Sequence, residues 1–539
     1  MYECRAPGPR PVAATTATTS AVATTATEAA TTTATASATA TASATATASA
    51  TAARPPGGPA PRLLPWLVAV ALLSVIVQLA VVVPGSGLSW DEVVYVSQAG
   101  GNAPPAFFSA PRARGTSYLV APVAALSAST AVLRVYLALL SAGALVGALW
   151  VWRTLLPTPV LVCAGALSAT LWPALFYGSM AMPNLWCALG ALAATGWVAR
   201  GVLRGAGRAE LLGSGAALAG VVLMRPADGV WLALPLLLIA VRRPKVLAAL
   251  AVGLLAGAAP WVVEAFAHHG GPVARLHRAS EIQGGLGWAV AVDDQLKALE
   301  GRTLCRPCDI PWKHPGTAVW WVALPVLTAA GVVLARRAGR RPVAVTATVT
   351  AVSLAVPYLF LIEYAAPRFL LPAYAVLAVP AAECLVHLWA RARRGAGRPW
   401  RTLALAAVLA AHLAVQLQVL SRVSASSHST SADHAAVAAA LHRAGVRPPC
   451  VVSGEQAVPI AYYAGCASRQ TAGHDAVVSP AALKDTARRI PTAVLVTDGD
   501  PPAHARAGRP VFLAHTRGAG PYSGYLLTPA DPSPARTLP

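Results

Sequence analysis

Runs of about 20 mostly apolar residues recur along this chain, Leu63–Val83, Val246–Ala265 and Phe369–Trp389 among them. Each is long enough to cross the roughly 30 Å hydrocarbon core of a bilayer as a helix. Helix is the default inside such runs, because lipid offers a free backbone N–H or C=O no partner. Of the 539 residues 56% are hydrophobic and only 12% charged, whereas a soluble domain carries about a quarter charged residues. A soluble globule is thereby excluded, and the apolar surface must face membrane lipids. The net charge of +21 would point to nucleic acid in a soluble protein, but here the cations gather in short loops between apolar runs and report topology instead. No nucleic-acid partner is expected.

Residues 12–53 are almost entirely Ala, Thr and Ser, with no large apolar side chain whose burial would offset the entropy of ordering. Residues 1–60 therefore read as disordered, or as lying upstream of the true start codon, and not as a secretory signal, which needs a basic start followed directly by a short apolar run. Beyond them apolar segments predict spans near 63–83, 132–152, 157–176, 185–202, 211–224, 228–241, 246–265, 317–335, 343–361, 369–389 and 402–420, about eleven in all. Arg153, then Arg200, Arg204 and Arg208, then Arg242, Arg243 and Lys245, then Arg336, Arg337, Arg340 and Arg341, then Arg391, Arg393, Arg394, Arg398 and Arg401 all fall on one side of this arrangement. The opposite short loops hold only Arg112, Arg114, Arg225 and Arg368. The positive-inside rule then puts the N-terminus in the cytoplasm and the C-terminus outside. The stretch 116–130 reads as a further span or as a helix lying in the interface.

The fold class expected is an all-α polytopic membrane protein, its helical domain covering 61–420, with a small C-terminal extracytoplasmic α/β domain over 421–539. In the latter, Asp433–Ala444 and Pro480–Ile490 read as helices and Cys450–Ser453, Ala493–Thr497 and Pro510–His515 as buried strands. A second long outer segment runs from about 266 to 316.

The first outer loop opens Ser89-Trp90-Asp91-Glu92-Val93-Val94-Tyr95-Val96, two adjacent carboxylates just beyond the end of the first span. An acid at the mouth of a membrane helix is well placed to meet the headgroup of a lipid-linked substrate and to take a proton from an acceptor hydroxyl as general base. The bland alternative is a solvated helix start with Asp91 as N-cap. Three further turns bring polar groups to the same side: Tyr177-Gly178-Ser179-Met180-Ala181-Met182-Pro183-Asn184, Arg225-Pro226-Ala227-Asp228, and Glu363-Tyr364-Ala365-Ala366-Pro367-Arg368-Phe369-Leu370-Leu371-Pro372. Charges close to apolar spans are costly and tend to mark function. Arg225 and Arg368 read either as holders of a lipid phosphate or as interfacial anchors that snorkel.

Together, an acidic pair after the first span, an Arg-Pro-x-Asp turn midway, a late Arg-Phe-Leu-Leu-Pro-x-Tyr and an outer C-terminal domain resemble the GT-C superfamily of polyprenyl-phosphate-sugar-dependent glycosyltransferases, in its protein O-mannosyltransferase and aminoarabinose-transferase-like branch. The resemblance spans roughly 63–420 and rests on the order and sidedness of short motifs. It implies transfer of a sugar from a polyprenyl-phosphate donor to a cell-envelope glycan, lipid or protein acceptor. Asp91 is then the catalytic carboxylate with Glu92 beside it, and Arg368 and, matching less closely, Arg225 contact the carrier phosphate. Tyr95, Asn184 and Tyr364, within the same motifs, complete the candidate substrate-binding set. Where many members of that superfamily carry a second acid after the third span, this chain has Met182-Pro183-Asn184, which leaves a second carboxylate and any metal site built on it without a residue. Abundant Ala, Arg and Gly point to a high-GC bacterial coding sequence, hence to the outer face of a plasma membrane. A transporter or flippase, or a non-catalytic scaffold, is the alternative, although no repeat between halves supports the former.

No motif requires a cofactor. His268, His269, His277, Asp293 and Asp294 share the 266–316 loop, so a divalent cation can be imagined there, but solvated loop polarity is the simpler reading because no ligand spacing repeats. Cys305-Arg306-Pro307-Cys308 lacks a second ligand pair and reads as a disulfide or two thiols, not as zinc. Cys450 and Cys466 bracket one strand-turn-helix unit, where an oxidising exterior would permit a bridge, and Cys163, Cys187 and Cys384 read as packing residues within spans. Glu264 lies near the outer end of its span, and Glu383 is expected to snorkel or pair with a neighbour.

Overall fold

The computed structural model describes residues 62–527 apart from 286, 307, 395–398, 498–499 and 517–519. The segment 1–60 and Arg398 lie outside the described residues. Helix α1 (Leu63–Val77) runs on through a π-helical turn, Gln78–Val82. Two short helices follow, α2 (Trp90–Val96) and α3 (Gly115–Ala124). With 10 residues α3 is too short to cross, so the stretch 116–130 supplies no span. Next come α4 (Thr130–Val151), α5 (Thr158–Thr170), α6 (Trp172–Gly178), α7 (Pro183–Arg204), α8 (Arg208–Met224), α9 (Pro226–Ile239) and α10 (Pro244–His268). The long segment after α10 folds into α11 (Pro272–Ile282) and α12 (Val292–Ala298), and the chain continues through α13 (Val319–Arg337), α14 (Arg341–Phe360), α15 (Leu371–Arg394) and α16 (Pro399–Arg443).

Among the described residues eight helices are long and apolar enough to cross a bilayer: α1, α4, α7, α10, α13, α14, α15 and α16. The run at 157–176, expected as one span, is instead α5 and α6 bent by 73° at their junction. Pro173 explains the break, since it has no N–H to give to the helix before it and Leu171 turns to extended backbone. Counting the bent pair gives up to nine spans; α8 with 17 residues and α9 with 14 are shorter than any of these. Outward-facing Leu73, Leu238, Leu255 and Val326 are exposed, while the interior is filled by Leu67, Leu149, Trp152, Leu192, Leu218 and Leu232. An apolar exterior of this kind is the signature of a lipid-facing bundle. The turns fall into two sets that meet among themselves. At one end Arg200 reaches Glu210 at 2.6 Å and Arg340 grips Glu383 at 2.8 and 2.9 Å, giving that buried acid its neighbour.

At the other end α16 continues without interruption for 45 residues, past the position expected for the end of its span, and becomes part of an α/β unit. Strands β1 (Val451–Gly454), β2 (Ala467–Ser468), β3 (Thr492–Val496), β4 (Arg509–Thr516) and β5 (Gly520–Leu527) form one sheet in the order β2-β1-β3-β5-β4, parallel through β3 and antiparallel beyond it. Helices α17 (Ala457–Ala464) and α18 (Pro480–Ala487) complete the unit. Val437 and Leu441 of α16 pack on Val452, Ile460, Leu495 and Leu513. A disulfide joins Cys450 to Cys466, so the entries to β1 and β2 are tied.

The unit seats on the loop after α1. Tyr463 Oη accepts from the Leu88 N–H at 2.7 Å and Ser431 Oγ from the Gly87 N–H at 2.9 Å. Only glycine fits at position 87, because a Cβ there would lie 1.9 Å from the Tyr463 hydroxyl. Tyr463→Phe leaves the buried Leu88 N–H without its acceptor and is expected to cost about 1–3 kcal/mol. Gly87→Ala, which forces the hydroxyl and the loop apart, is expected to lower the thermal unfolding midpoint of the detergent-solubilised protein further. Midpoints unchanged in both variants would show that this seat does not form.

Candidate active site

Ser89 is the N-cap of helix α2, and Glu92 reaches back to it in the manner of a capping box: Glu92 Oε2 accepts from the Ser89 N–H at 3.0 Å and from its hydroxyl at 2.9 Å. The N-cap is thus Ser89, which corrects the alternative that gave this place to Asp91. Glu92 Oε1 accepts from the Ala181 N–H at 2.8 Å and from Arg134 of α4, whose guanidinium also donates to the Gly87 and Ser179 carbonyls. Both side chains of this ion pair are fully buried. Every oxygen of Glu92 is therefore occupied inside the protein, and it does not share the open face of its neighbour.

Asp91, one residue earlier and so about 100° around the helix, points the other way and keeps 38% of its side chain exposed. Arg112 Nη2 donates to its Oδ1 at 2.7 Å, and Arg368 Nη2 stands 3.6 Å from its Oδ2. Burial pushes the Asp91 carboxyl up, but the guanidiniums of Arg112 and Arg368 outweigh it and hold the group below the usual aspartate range. Arg112 is itself fixed from behind. Its Nη1 donates to Ser109 Oγ at 2.6 Å, and the fully buried Arg275 of α11 donates to the Ala110, Arg112 and Trp261 carbonyls at 3.1, 2.9 and 2.7 Å. Glu264 neutralises Arg275 at 2.9 Å and also accepts from Arg114, which lies over the Phe108 ring.

Arg368 is held by a second loop. Its Nη1 donates to the Thr303 carbonyl at 2.7 Å and to Tyr177 Oη at 3.4 Å, and its guanidinium stacks over the Tyr177 and Phe369 rings. Thr303 precedes the Cys305–Cys308 disulfide, and Cys305 and Ala365 exchange backbone hydrogen bonds at 2.9 and 3.1 Å. Arg306 of that loop covers the Tyr364 ring at 4.7 Å. Arg225 also lies over the Phe369 ring, at 5.5 Å, donates to Tyr358 Oη at 2.9 Å and pairs with Asp228 at 3.3 Å. Tyr358 in turn donates to Asp228, so most of the Arg225 charge is already matched.

Four of the sequence-predicted positions thus converge, Asp91, Arg225, Arg368 and, through Phe369 at 5.5 Å, Tyr364. Tyr95 is buried on α2 edge-on to Phe108, and burial pushes its phenol up to about 12. Asn184 sits almost fully buried at the start of α7, both atoms of its amide without a hydrogen-bond partner. Arg112, Tyr177 and Asp475 were not expected at the site. Arg112 carried a signal, as a rare cation on the cation-poor side, and the Ser89-x-x-Glu92 spacing carried the capping role of Glu92; Asp475, nearly 400 residues from Asp91, carried none. Among the described residues no three His, Cys, Asp or Glu side chains gather as metal ligands. In the loop where a cation was imagined, His277 pairs with Glu281 at 3.1 Å and Asp293 with Lys297 at 2.6 Å.

Glu92→Gln leaves Arg134 as a buried, uncompensated cation and is expected to cost about 3–5 kcal/mol, a loss that joint replacement of Glu92 and Arg134 by Met largely reverses. Thermal unfolding of the three proteins measures both effects, and a Glu92→Gln protein as stable as its parent would contradict the buried pair.

No family model matches the sequence, and no curated protein matches it. Solved structures do match in fold. ArnT from Cupriavidus metallidurans bound to undecaprenyl phosphate superimposes with a TM-score of 0.63 over 86% of this chain and 97% of that one, at 14% identity. The apo state of the same protein gives 0.57 over the same shares, also at 14% identity. The archaeal oligosaccharyltransferase AglB from Archaeoglobus fulgidus, in complex with an inhibitory peptide and a dolichol-phosphate, gives 0.46 over 75% of this chain and 64% of that one at 13% identity, too distant to build on. The chain therefore has the ArnT fold, the polytopic helical architecture with a C-terminal α/β unit that the GT-C resemblance implied.

Proposed function

We propose that this protein is a membrane glycosyltransferase that moves a sugar from a polyprenyl-phosphate carrier to an acceptor of the cell envelope at the outer face of the plasma membrane, with Asp91 as general base. One observation carries the reading: the partly exposed Asp91 carboxylate stands between Arg112 and Arg368 where three outer turns meet, at the end of an apolar bundle. The solved relative of this fold that holds undecaprenyl phosphate supports a lipid-phosphate donor.

The chemistry follows from these groups. An acceptor hydroxyl attacks the anomeric carbon, its proton passes to a carboxylate oxygen of Asp91, and the bond from that carbon to the phosphate oxygen breaks. The electron pair leaves with polyprenyl phosphate, whose charge the planar fork of Arg368 is shaped to receive. Arg225 adds a second cation across the Phe369 ring. Glu92 has no part in proton transfer and instead fixes α2, which aims Asp91. The other end of the bundle, rich in Arg, would face the cytoplasm.

Transfer from radiolabelled undecaprenyl-phosphate hexose, pentose and aminopentose donors is measured in membranes containing the intact protein or Asp91→Asn at matched expression. Transfer by the intact protein and a fall of about 10²–10⁴ in the variant are expected. No transfer from any donor would favour a transporter or a scaffold, and transfer unaffected by the substitution would keep the enzyme and discard the base. Asp91 is active when ionised and its pKa is depressed, so the rate is expected to hold level as pH falls from neutral to about 5. Loss of rate near pH 6.5 would point to a histidine instead. Arg368→Lys keeps the charge and loses the fork; in a binding assay with undecaprenyl phosphate alone it is expected to weaken affinity on the order of tenfold, the value of one charge-assisted hydrogen bond.

A further inference from the structure

Asp475 of the C-terminal unit reaches the site. After β2 the chain makes a closed excursion in which the Gln470 carbonyl accepts from the Val477 and Val478 N–H groups at 2.9 and 3.2 Å, and the Gln470 amide donates to the Gly454 carbonyl at 3.0 Å. The excursion is thus tied at its base to both β1 and β2. Near its tip Asp475 Oδ2 accepts from the Trp90 indole N–H at 3.1 Å, and its Oδ1 lies 3.7 Å from Arg112 Nη1. Trp90 immediately precedes Asp91, and Arg112 is the cation on Asp91. The single guanidinium of Arg112 therefore stands between two carboxylates, one from the first outer loop and one from a unit that begins more than 300 residues later.

Asp475 also lines a small cleft, with Val94 and Phe107 from the first outer loop and Val458, Ser468, Gln470 and Val477 from the unit. Arg112 is itself mostly buried, its side chain only 11% exposed, so the division of its charge between two partners matters more than it would in water.

We propose that Asp475 is a positioning residue for the transfer reaction: facing Arg112 from the far side, it offsets part of the guanidinium charge that acts on Asp91 and so leaves Asp91 able to accept the acceptor's proton. This rests on Asp91 being the base. Without the Asp475 charge the whole guanidinium charge of Arg112 bears on Asp91, to which it already donates at 2.7 Å, and weakens it as a base. The role differs from that of a cap on the cavity, which would act through shape alone.

The test uses the full chain in membranes with the undecaprenyl-phosphate donor that supports transfer by the intact protein. Asp475→Asn, which keeps the size of the side chain, is expected to lower kcat about tenfold per folded molecule while the donor KM stays within about twofold, and Asp475→Glu is expected to restore most of the rate. In an Arg112→Gln background the same Asp475→Asn change is expected to have little further effect, since the two residues act through one contact. Should Asp475→Asn accumulate poorly, Trp90→Phe, which removes the indole N–H that holds Asp475 together with part of the ring, is expected to lower kcat in the same direction. A kcat unchanged in both variants, or an equal fall with and without Arg112, overturns the proposal. If Asp91→Asn is inactive while Asp475→Asn is fully active, this inference alone fails; if Asp91→Asn transfers normally, the assignment of the base fails with it.

Discussion

A carboxylate and a guanidinium that are both sealed from solvent can persist only together, because the desolvation cost of either ion alone runs to several kcal/mol. Glu92 and Arg134 are such a pair, and they join the loop after α1, the start of α2, the first turns of α4 and the turn after α6. The first two are contiguous, but Arg134 lies 42 residues beyond Glu92 and Ala181 lies 89 beyond it, and apolar packing of these segments tolerates sliding. The pair fixes their register in the way that a hydrogen-bonded charge does, by allowing one arrangement and penalising its neighbours. Asp91 owes its direction to this anchor, since it follows from the helix once Glu92 is committed inward.

A layered arrangement of cations then surrounds Asp91. Arg275 and Glu264 form an inner layer that touches backbone carbonyls and sets the path of the loop carrying Arg112. Arg112 and Arg368 form the outer layer, which touches the acid itself. Arg225 is different in kind because Asp228 and Tyr358 already satisfy much of its charge. The site is thus rigid behind and comparatively open in front, the order of stiffness expected where charge must move without the protein having to reorganise.

Much of this was legible in the sequence. Apolar runs of sufficient length located every long helix, because in lipid the backbone admits few alternatives, and rare charges at helix ends singled out Asp91, Arg225 and Arg368. Pro173 was the local cue for the bend between α5 and α6, outweighed by the continuity of the apolar run around it. Adjacent acids look equivalent in a sequence, so Glu92 was grouped with Asp91; the capping-box spacing from Ser89 distinguishes them only once the helix start is known. Asp475 and Arg275 were not legible at all, since their roles depend on tertiary approach between segments with no local pattern of their own. The two-residue β2 was too short, and the glycine-containing β5 too polar, to stand out as buried strands.

The unbroken α16 has a mechanical consequence. At about 1.5 Å per residue its 45 residues measure roughly 67 Å, more than twice the thickness of a hydrocarbon core. Gln416 accepts from the Trp172 N–H, His428 meets the Val82 carbonyl and Ser431 holds Gly87, so the shaft is pinned at successive heights before it enters the sheet unit. A rod fastened in this way has no hinge at the water boundary. Tilting of its lower part, as a thicker or thinner bilayer would impose, is delivered as a sideways displacement at the far end, where a small angle multiplied by a long arm becomes ångströms.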